Sequence, residues 1–201
     1  MPTKPTIARG IFIGLLAAAL LFAAATVILK QAKKSTHELP VYGQISDFRL
    51  VDSNGDEFSR SNLIGKISIV DFIFTSCQTA CPIMSAKMER LYHLFKDSDK
   101  IQFVSVSVDP ARDTMEVLQQ YAKDHGVTDG RWKFLRGEIN DVVALSENSF
   151  MLAAENLPMG HSTKFVLVDR GGQIRGFYDG LKDASINVLV THIKTMAKTK
   201  S

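Results

Sequence analysis

Lys66-Ile67-Ser68-Ile69-Val70-Asp71-Phe72-Ile73-Phe74, followed by Thr75-Ser76-Cys77-Gln78-Thr79-Ala80-Cys81-Pro82, is the stretch on which the reading of this chain turns. Its first half is a β-branched and aromatic run of strand length, the pattern of a strand buried on both faces. Pro82 suits the opening position of a helix, where its fixed φ fits and its missing N–H costs nothing. The stretch therefore reads as strand, loop and helix start, and Cys77 and Cys81, the only 2 cysteines in 201 residues, sit four apart on the loop. Both are expected to face the positive end of the helix dipole, which favours thiolate, the form that attacks disulfides and binds soft metals.

A structural disulfide and a pair of unrelated buried thiols are the competing readings. Closing a loop of about five residues stabilises by only roughly 2 kcal/mol in the chain-entropy treatment, against nearly 5 for a loop of about a hundred. A staple is badly placed here. The polar Gln78-Thr79 between the cysteines and the proline after them suit a loop, not a core strand. The pair is expected to do chemistry.

Outward from this unit, apolar runs and helical periods alternate. Ile45 to Val51 and Glu57 to Ser59 flank Asp52-Ser53-Asn54-Gly55, whose Asn-Gly suits a tight hairpin turn. Met84, Met88, Leu91 and Phe95 recur at helical spacing, which predicts a helix from Pro82 to about Lys96 with those side chains inward. That spacing makes the two methionines core residues instead of a metal stripe.

Ile101 to Val108 is a second buried strand, and Asp113 with Glu116 reads as a capping box opening a helix that runs to His125-Gly126. Trp132 to Leu135 reads as a strand and Asn140 to Phe150 as a helix. Thr163 to Asp169 and Gln173 to Tyr178 read as a hairpin around Arg170-Gly171-Gly172, and Ile186, Leu189, Val190, Ile193 and Met196 mark a final amphipathic helix. This order predicts an α/β, three-layer domain around a central mixed sheet, with the cysteine pair in a thioredoxin-like place.

The N-terminus differs in kind. Residues 11–29 form an uncharged apolar run of about 19, enough at about 1.5 Å per residue to cross a bilayer core of about 30 Å. The reading is a tail at 1–10, a transmembrane anchor at 11–29, a polar tether at 30–42 containing His37 and Pro40, and a thioredoxin-like domain at 43–201. A cleaved signal peptide, with Ala23-Ala24-Ala25 as its small-residue site, is the alternative, but Val27-Ile28-Leu29 extend the apolar run past that site. Lys4 and Arg9 before the run balance Lys30, Lys33 and Lys34 after it, so flanking charge sets no orientation.

No cysteine stands near the run to carry a lipoprotein anchor, and no Arg-rich leader suggests an organelle. A bacterial inner membrane, crossed once, with the folded domain in the periplasm, is the expectation. Removing residues 1–29 takes away Lys4 and Arg9 and no acid, so the formal charge falls from +3 to +1. A near-neutral domain gives no reason to expect a nucleic-acid partner.

Among the 5 histidines, His93 lies on the polar side of its helix, His125 at a helix end, His37 in the tether, and His192 beside the apolar stripe of the last helix. His161 stands apart, in Leu157-Pro158-Met159-Gly160-His161-Ser162 just before a strand. Its position alone leaves a turn-stabilising hydrogen bond and a role beside the cysteines both open. Asp109-Pro110 reads as a strand end, and Arg112 as making an ion pair or hydrogen bond near the next helix start. No phosphate loop, Ser-His-Asp arrangement or four-ligand zinc spacing is present.

Phe74-Thr75-x-Cys77-x-x-x-Cys81-Pro82, Val106-Ser107-Val108-Asp109-Pro110-x-Arg112-Asp113-Thr114, Trp132-x-Phe134-Leu135-x-Gly137 and His161-Ser162 together resemble the SCO/SenC family, from about Gln44 to the C-terminus. The resemblance implies a thioredoxin-like fold tethered outside the cytoplasm and copper, as Cu(I) or Cu(II), held by Cys77, Cys81 and His161. It implies delivery of that copper to the binuclear copper site of cytochrome c oxidase subunit II. Two thiolates and an imidazole are donors that select a soft ion such as Cu(I).

The same cysteines could instead serve a thiol-disulfide oxidoreductase acting on partner cysteines, a redox-active pair cycling through a disulfide. The chain also departs from the family: many members read Cys-Pro-Asp-x-Cys-Pro, where this chain has Gln78 and Thr79. Met115 stands where proline is frequent and Gly160 where an acid sometimes precedes the histidine. Met159 is a possible extra soft contact beside His161.

Overall fold

The computed structural model describes residues 13–27 and 39–198, and the chain divides into two units, residues 1–38 and 39–201. In the first unit, residues 13–27 form helix α1, whose leucines are exposed and whose Thr26 hydroxyl donates to the carbonyl of Ala23 at 2.8 Å. Among the described residues no helix is long and apolar enough to cross a membrane. The two ends of the expected span, residues 11–12 and 28–29, lie outside the described residues, as do the tail 1–10 and residues 30–38 of the tether.

The second unit is built on an eight-stranded mixed sheet: β1 (Gly43–Gln44), β2 (Arg49–Asp52), β3 (Glu57–Ser59), β4 (Ile67–Ile73), β5 (Ile101–Ser107), β6 (Trp132–Arg136), β7 (Lys164–Val168) and β8 (Gln173–Asp179). Its order is β1-β8-β7-β4-β5-β6-β2-β3. The central β4, β5 and β6 run parallel, and the pairs outside them are antiparallel. Every residue of β4 and β5 is buried, so both faces of the sheet centre are covered, as the unbroken apolar runs predict.

The covering helices are α2 (Ala80–Leu94), α3 (Met115–Asp124), α4 (Ile139–Ala144) and α5 (Asp183–Lys198). Met84, Met88 and Leu91 of α2 and Ile186, Leu189 and Ile193 of α5 face inward at the predicted spacing. In β8 burial alternates along the strand, the mark of an antiparallel strand with one face toward solvent.

Four local expectations change. The opening hairpin exists as β2–β3, but its first strand is shortened to Arg49–Asp52, with Ile45 to Phe48 outside any strand, while β1 before it pairs with β8 at the opposite edge of the sheet. The helix expected over Asn140 to Phe150 is α4 followed by a π-helical turn over Leu145–Ser149. Helix α2 opens at Ala80, two residues before Pro82, which still falls in the first turn where no N–H needs an intrahelical partner.

The capping box expected at Asp113 and Glu116 does not form, because Asp113 turns into the core and the cap falls one residue later. Thr114 is the N-cap of α3, and its side chain accepts from the N–H of Val117. Thr114→Ala should therefore cost about 1 kcal/mol of unfolding free energy in denaturant titration, whereas an unchanged midpoint would show that the cap adds nothing.

Candidate functional site

The site forms where β4 ends. Its seven residues bury both faces and deliver Phe74, Thr75 and Ser76 to the edge of the core. The Cys77 N–H turns back to the Phe74 carbonyl at 3.2 Å, closing a tight bend before Thr79 caps α2. Because α2 begins at Ala80, the two thiols do not share one environment. Cys81 lies in the first turn at 1% exposure, while Cys77 is half-buried on the bend. The expectation that both lie on the approach to the helix is thus corrected for Cys81.

The electrostatics follow the geometry. Burial alone pushes the Cys77 thiol up. It is outweighed by the backbone N–H groups of Cys81 and Thr79, the Thr79 hydroxyl and the Cys81 thiol, which donate to the sulfur and bring it down to about 7. Burial pushes the Cys81 thiol up to about 12, a backbone hydrogen bond at Phe74 opposes this, and the neighbouring Cys77 and Asp71 reinforce it.

Thr79 has a specific part in this split. It is the helix cap, yet its hydroxyl makes no capping bond and lies 3.6 Å from Cys77 Sγ. Where many members of the resembled family place a carboxylate, this chain places a donor, and a donor favours thiolate where a negative charge would oppose it.

His161 arrives from the loop before β7, 80 residues further along the chain, with Nε2 at 3.6 Å from Cys81 Sγ. Its Nδ1 donates to the Ser162 carbonyl at 3.1 Å, which leaves the Nε2 lone pair directed at the sulfur. Burial holds the imidazole below its ordinary value, against backbone hydrogen bonds at Ser162 and Phe72, and so favours the neutral, metal-binding form. The Phe74 ring meets the imidazole edge-on, with centroids 5.4 Å apart at 90°.

The three candidate ligands are therefore neighbours: Cys81 touches His161 on one side and donates to Cys77 on the other. Among the described residues no three His, Cys, Asp or Glu side chains are already drawn together around a metal position. The donor set nonetheless suits a soft ion, because two sulfurs and an imidazole Nε2 with a fixed tautomer are present on adjacent elements.

The other histidines have structural partners. His125 closes α3 and pairs through Nδ1 with Glu89 at 3.0 Å, and His192 Nδ1 lies 2.7 Å from the Tyr178 hydroxyl. His93 packs beside the Tyr92 ring, and His37 lies outside the described residues. Arg112 pairs with Asp109 at 3.0 Å, as expected. Met159, at 74% exposure, stands on the surface of the loop carrying His161.

The split between the thiols has a direct pH signature. A depressed value means that the thiolate forms at lower pH in the folded protein. Alkylation of Cys77 should therefore rise with pH through about 7 and level off, while Cys81 stays unreactive until near 12. Iodoacetamide labelling across pH, with the site located by mass spectrometry, should find one modified cysteine per folded chain. A midpoint near 9 would contradict the donor arrangement.

A family model described as SCO1/SenC matches residues 39–198. An SCO1 protein homolog of Bacillus subtilis (strain 168) is 27% identical over 167 residues, covering 80% of this chain and 86% of that protein. BsSco, a protein described as having a disulfide switch and as a member of the Sco family of cytochrome c oxidase assembly proteins, superposes with a TM-score of 0.71 at 26% identity over 81% of this chain and 99% of its own. Yeast Sco1 with copper bound superposes with a TM-score of 0.61 at 27% identity, over 79% of this chain and 96% of its own.

Proposed function

This chain belongs to the SCO1/SenC family, and on that premise we propose that it is a copper chaperone that takes up copper through Cys77, Cys81 and His161. Its acceptor is the binuclear copper site of cytochrome c oxidase subunit II. Residues 11–29 hold it in a bacterial inner membrane with the folded domain in the periplasm. The mixed-sheet fold and the copper-bound relative support the copper reading.

One observation carries the assignment to this site: the Cys81 Sγ to His161 Nε2 approach of 3.6 Å, with Nδ1 committed to Ser162. It joins a thiol and an imidazole lone pair from distant parts of the chain and leaves the half-buried Cys77 to complete the set. Three donors, one of them at the surface, allow an incoming protein ligand to displace them in turn.

The experiment is a transfer assay. The full chain in detergent is loaded with Cu(I), freed of excess metal and mixed with the copper-free soluble domain of subunit II. Copper should move to the acceptor and stay there after the proteins are separated. Copper retained by the donor, or never bound by it, ends this reading. Membrane fractionation of the expressing cell, with protease added to spheroplasts, tests the anchor and the periplasmic side.

The unequal thiols favour a second reading, a thiol-disulfide oxidoreductase. The Cys77 thiolate attacks one sulfur of a partner disulfide and expels the other as a partner thiolate. Cys81 then gives up its proton and attacks the Cys77 sulfur, releasing the second partner thiolate, so two electrons pass to the partner and a Cys77–Cys81 disulfide remains. Cys81→Ser should trap the mixed disulfide, and an empty trap counts against this role.

A further inference from the structure

Asp113 has no exposed surface and carries an acidic side chain into the interior beside the cysteine bend. The Thr75 hydroxyl donates to its carboxylate at 2.6 Å, and the Thr75 N–H reaches both carboxylate oxygens at 3.3 Å. The Ser107 hydroxyl donates to the second oxygen at 2.5 Å and itself accepts from the Asp109 N–H at 3.1 Å. All of these donors are neutral. The adjacent Arg112 turns outward to Asp109 at 3.0 Å.

A buried carboxylate held only by neutral donors is costly to keep, and it persists where its hydrogen bonds are complete. Here the bonds converge on one residue of the site loop. Thr75 is gripped by both backbone and side chain, so its orientation is set by a residue 38 positions away. On one side of Thr75 stands Phe74, whose ring meets His161 and whose backbone bonds Cys81. On the other, two residues on, Cys77 closes its bend onto the Phe74 carbonyl. The residues that flank Thr75 thus touch all three candidate ligands.

We propose that Asp113 is the positioning residue of the thiol and imidazole site, clamping Thr75 to the end of β5 so that Cys77, Cys81 and His161 are kept as neighbours. The proposal rests on the copper-site reading for its metal readout and stands independently of it for its redox readout. A carboxylate suits the task because it is acceptor-only and has lone pairs for every donor it meets. An amide would turn an N–H toward either Thr75 or Ser107.

The test uses the full chain in detergent with three variants. Thr75→Val keeps the volume and β-branching and removes the hydroxyl, Thr75→Ser retains the hydroxyl, and Asp113→Asn removes the charge. Cu(I) affinity is measured by competition with a chromogenic chelator, the Cys77–Cys81 dithiol–disulfide equilibrium against glutathione, and Tm by circular dichroism. Thr75→Val and Asp113→Asn should weaken Cu(I) binding by about 10-fold or more, the scale on which residues orienting metal ligands act, and should shift the glutathione equilibrium. Thr75→Ser should restore both.

If both disruptive variants lower Tm while affinity and redox equilibrium stay at wild type, Asp113 is only a structural tie and the proposal is overturned. Should Asp113→Asn fail to fold, the near-isosteric Thr75→Val decides. If the wild type takes up no Cu(I), the copper reading falls, and the glutathione equilibrium still judges the clamp.

Discussion

His161→Ala should weaken Cu(I) binding by more than about 100-fold, since a direct ligand must outweigh the ~10–100-fold that residues orienting ligands contribute, and should leave the fold intact. The imidazole supplies the only nitrogen donor of the set, at 3.6 Å from Cys81 Sγ, and Nδ1 already holds its tautomer on Ser162. Removing it leaves two thiols, one of which burial holds protonated up to about 12. A two-sulfur site must therefore strip a reluctant proton without the third donor to offset the cost.

The same substitution removes the edge-on contact with Phe74, the hydrogen bond to Ser162 and the approach to Cys81, all within a partly exposed loop, so Tm should fall modestly while the fold persists. Competition titration with a chromogenic Cu(I) chelator, beside a thermal melt, separates the two effects. Wild-type affinity in the variant would remove His161 from the site and leave the dithiol reading. That reading makes its own demand, because exchange chemistry needs both cysteines and can spare the histidine.

Gly160→Ala should have the next largest effect, through geometry alone. A Cβ at this position would overlap the carbonyl oxygen of Glu155, and the Gly160 N–H is held on the Asn156 carbonyl at 3.1 Å. Both obstacles are backbone, so no side chain can swing aside. The turn from Glu155 to Gly160 must open, and His161 is the next residue. Overpacking of this kind costs about 1–3 kcal/mol, and a displaced imidazole should lower Cu(I) affinity by ~10-fold or more. Equal affinity and an unchanged melt in Gly160→Ala would show that the loop yields without carrying His161 along. The position also explains a departure from the family: an acid here would need the same Cβ.

Much of the domain was readable because the governing interactions are local. The buried strand from Ile67 to Ile73, the inward face of Met84, Met88 and Leu91, and the hairpin of β7 and β8 follow from periods of two and of about 3.6 residues and from turn chemistry at Arg170-Gly171-Gly172. The cysteine spacing was equally legible. Asp113 was not. Its place three residues before Glu116 fits a helix-cap pattern, and what turns it inward is a pair of hydroxyls, one of them 38 residues away.

The unequal thiols were hidden for a related reason. Their difference depends on α2 opening two residues early and on how the interior closes over Cys81, and neither is written in the spacing. The thioether of Met159 shows the reverse. A soft side chain beside His161 in sequence stands in the open, because neighbours along a loop need not face the same way.

By itself, then, the sequence determined the succession of strands and helices, the loop that bears Cys77 and Cys81, and, through four motifs in order, the family. Short-range periodicity and turn chemistry are complete within a few residues, so they survive without a partner. The tertiary structure decided which thiol is the more acidic, that His161 meets Cys81 across 80 residues of chain, and that Asp113 grips Thr75. Burial and long-range hydrogen bonds set these, and both exist only once β4, β5 and the loop before β7 are packed together.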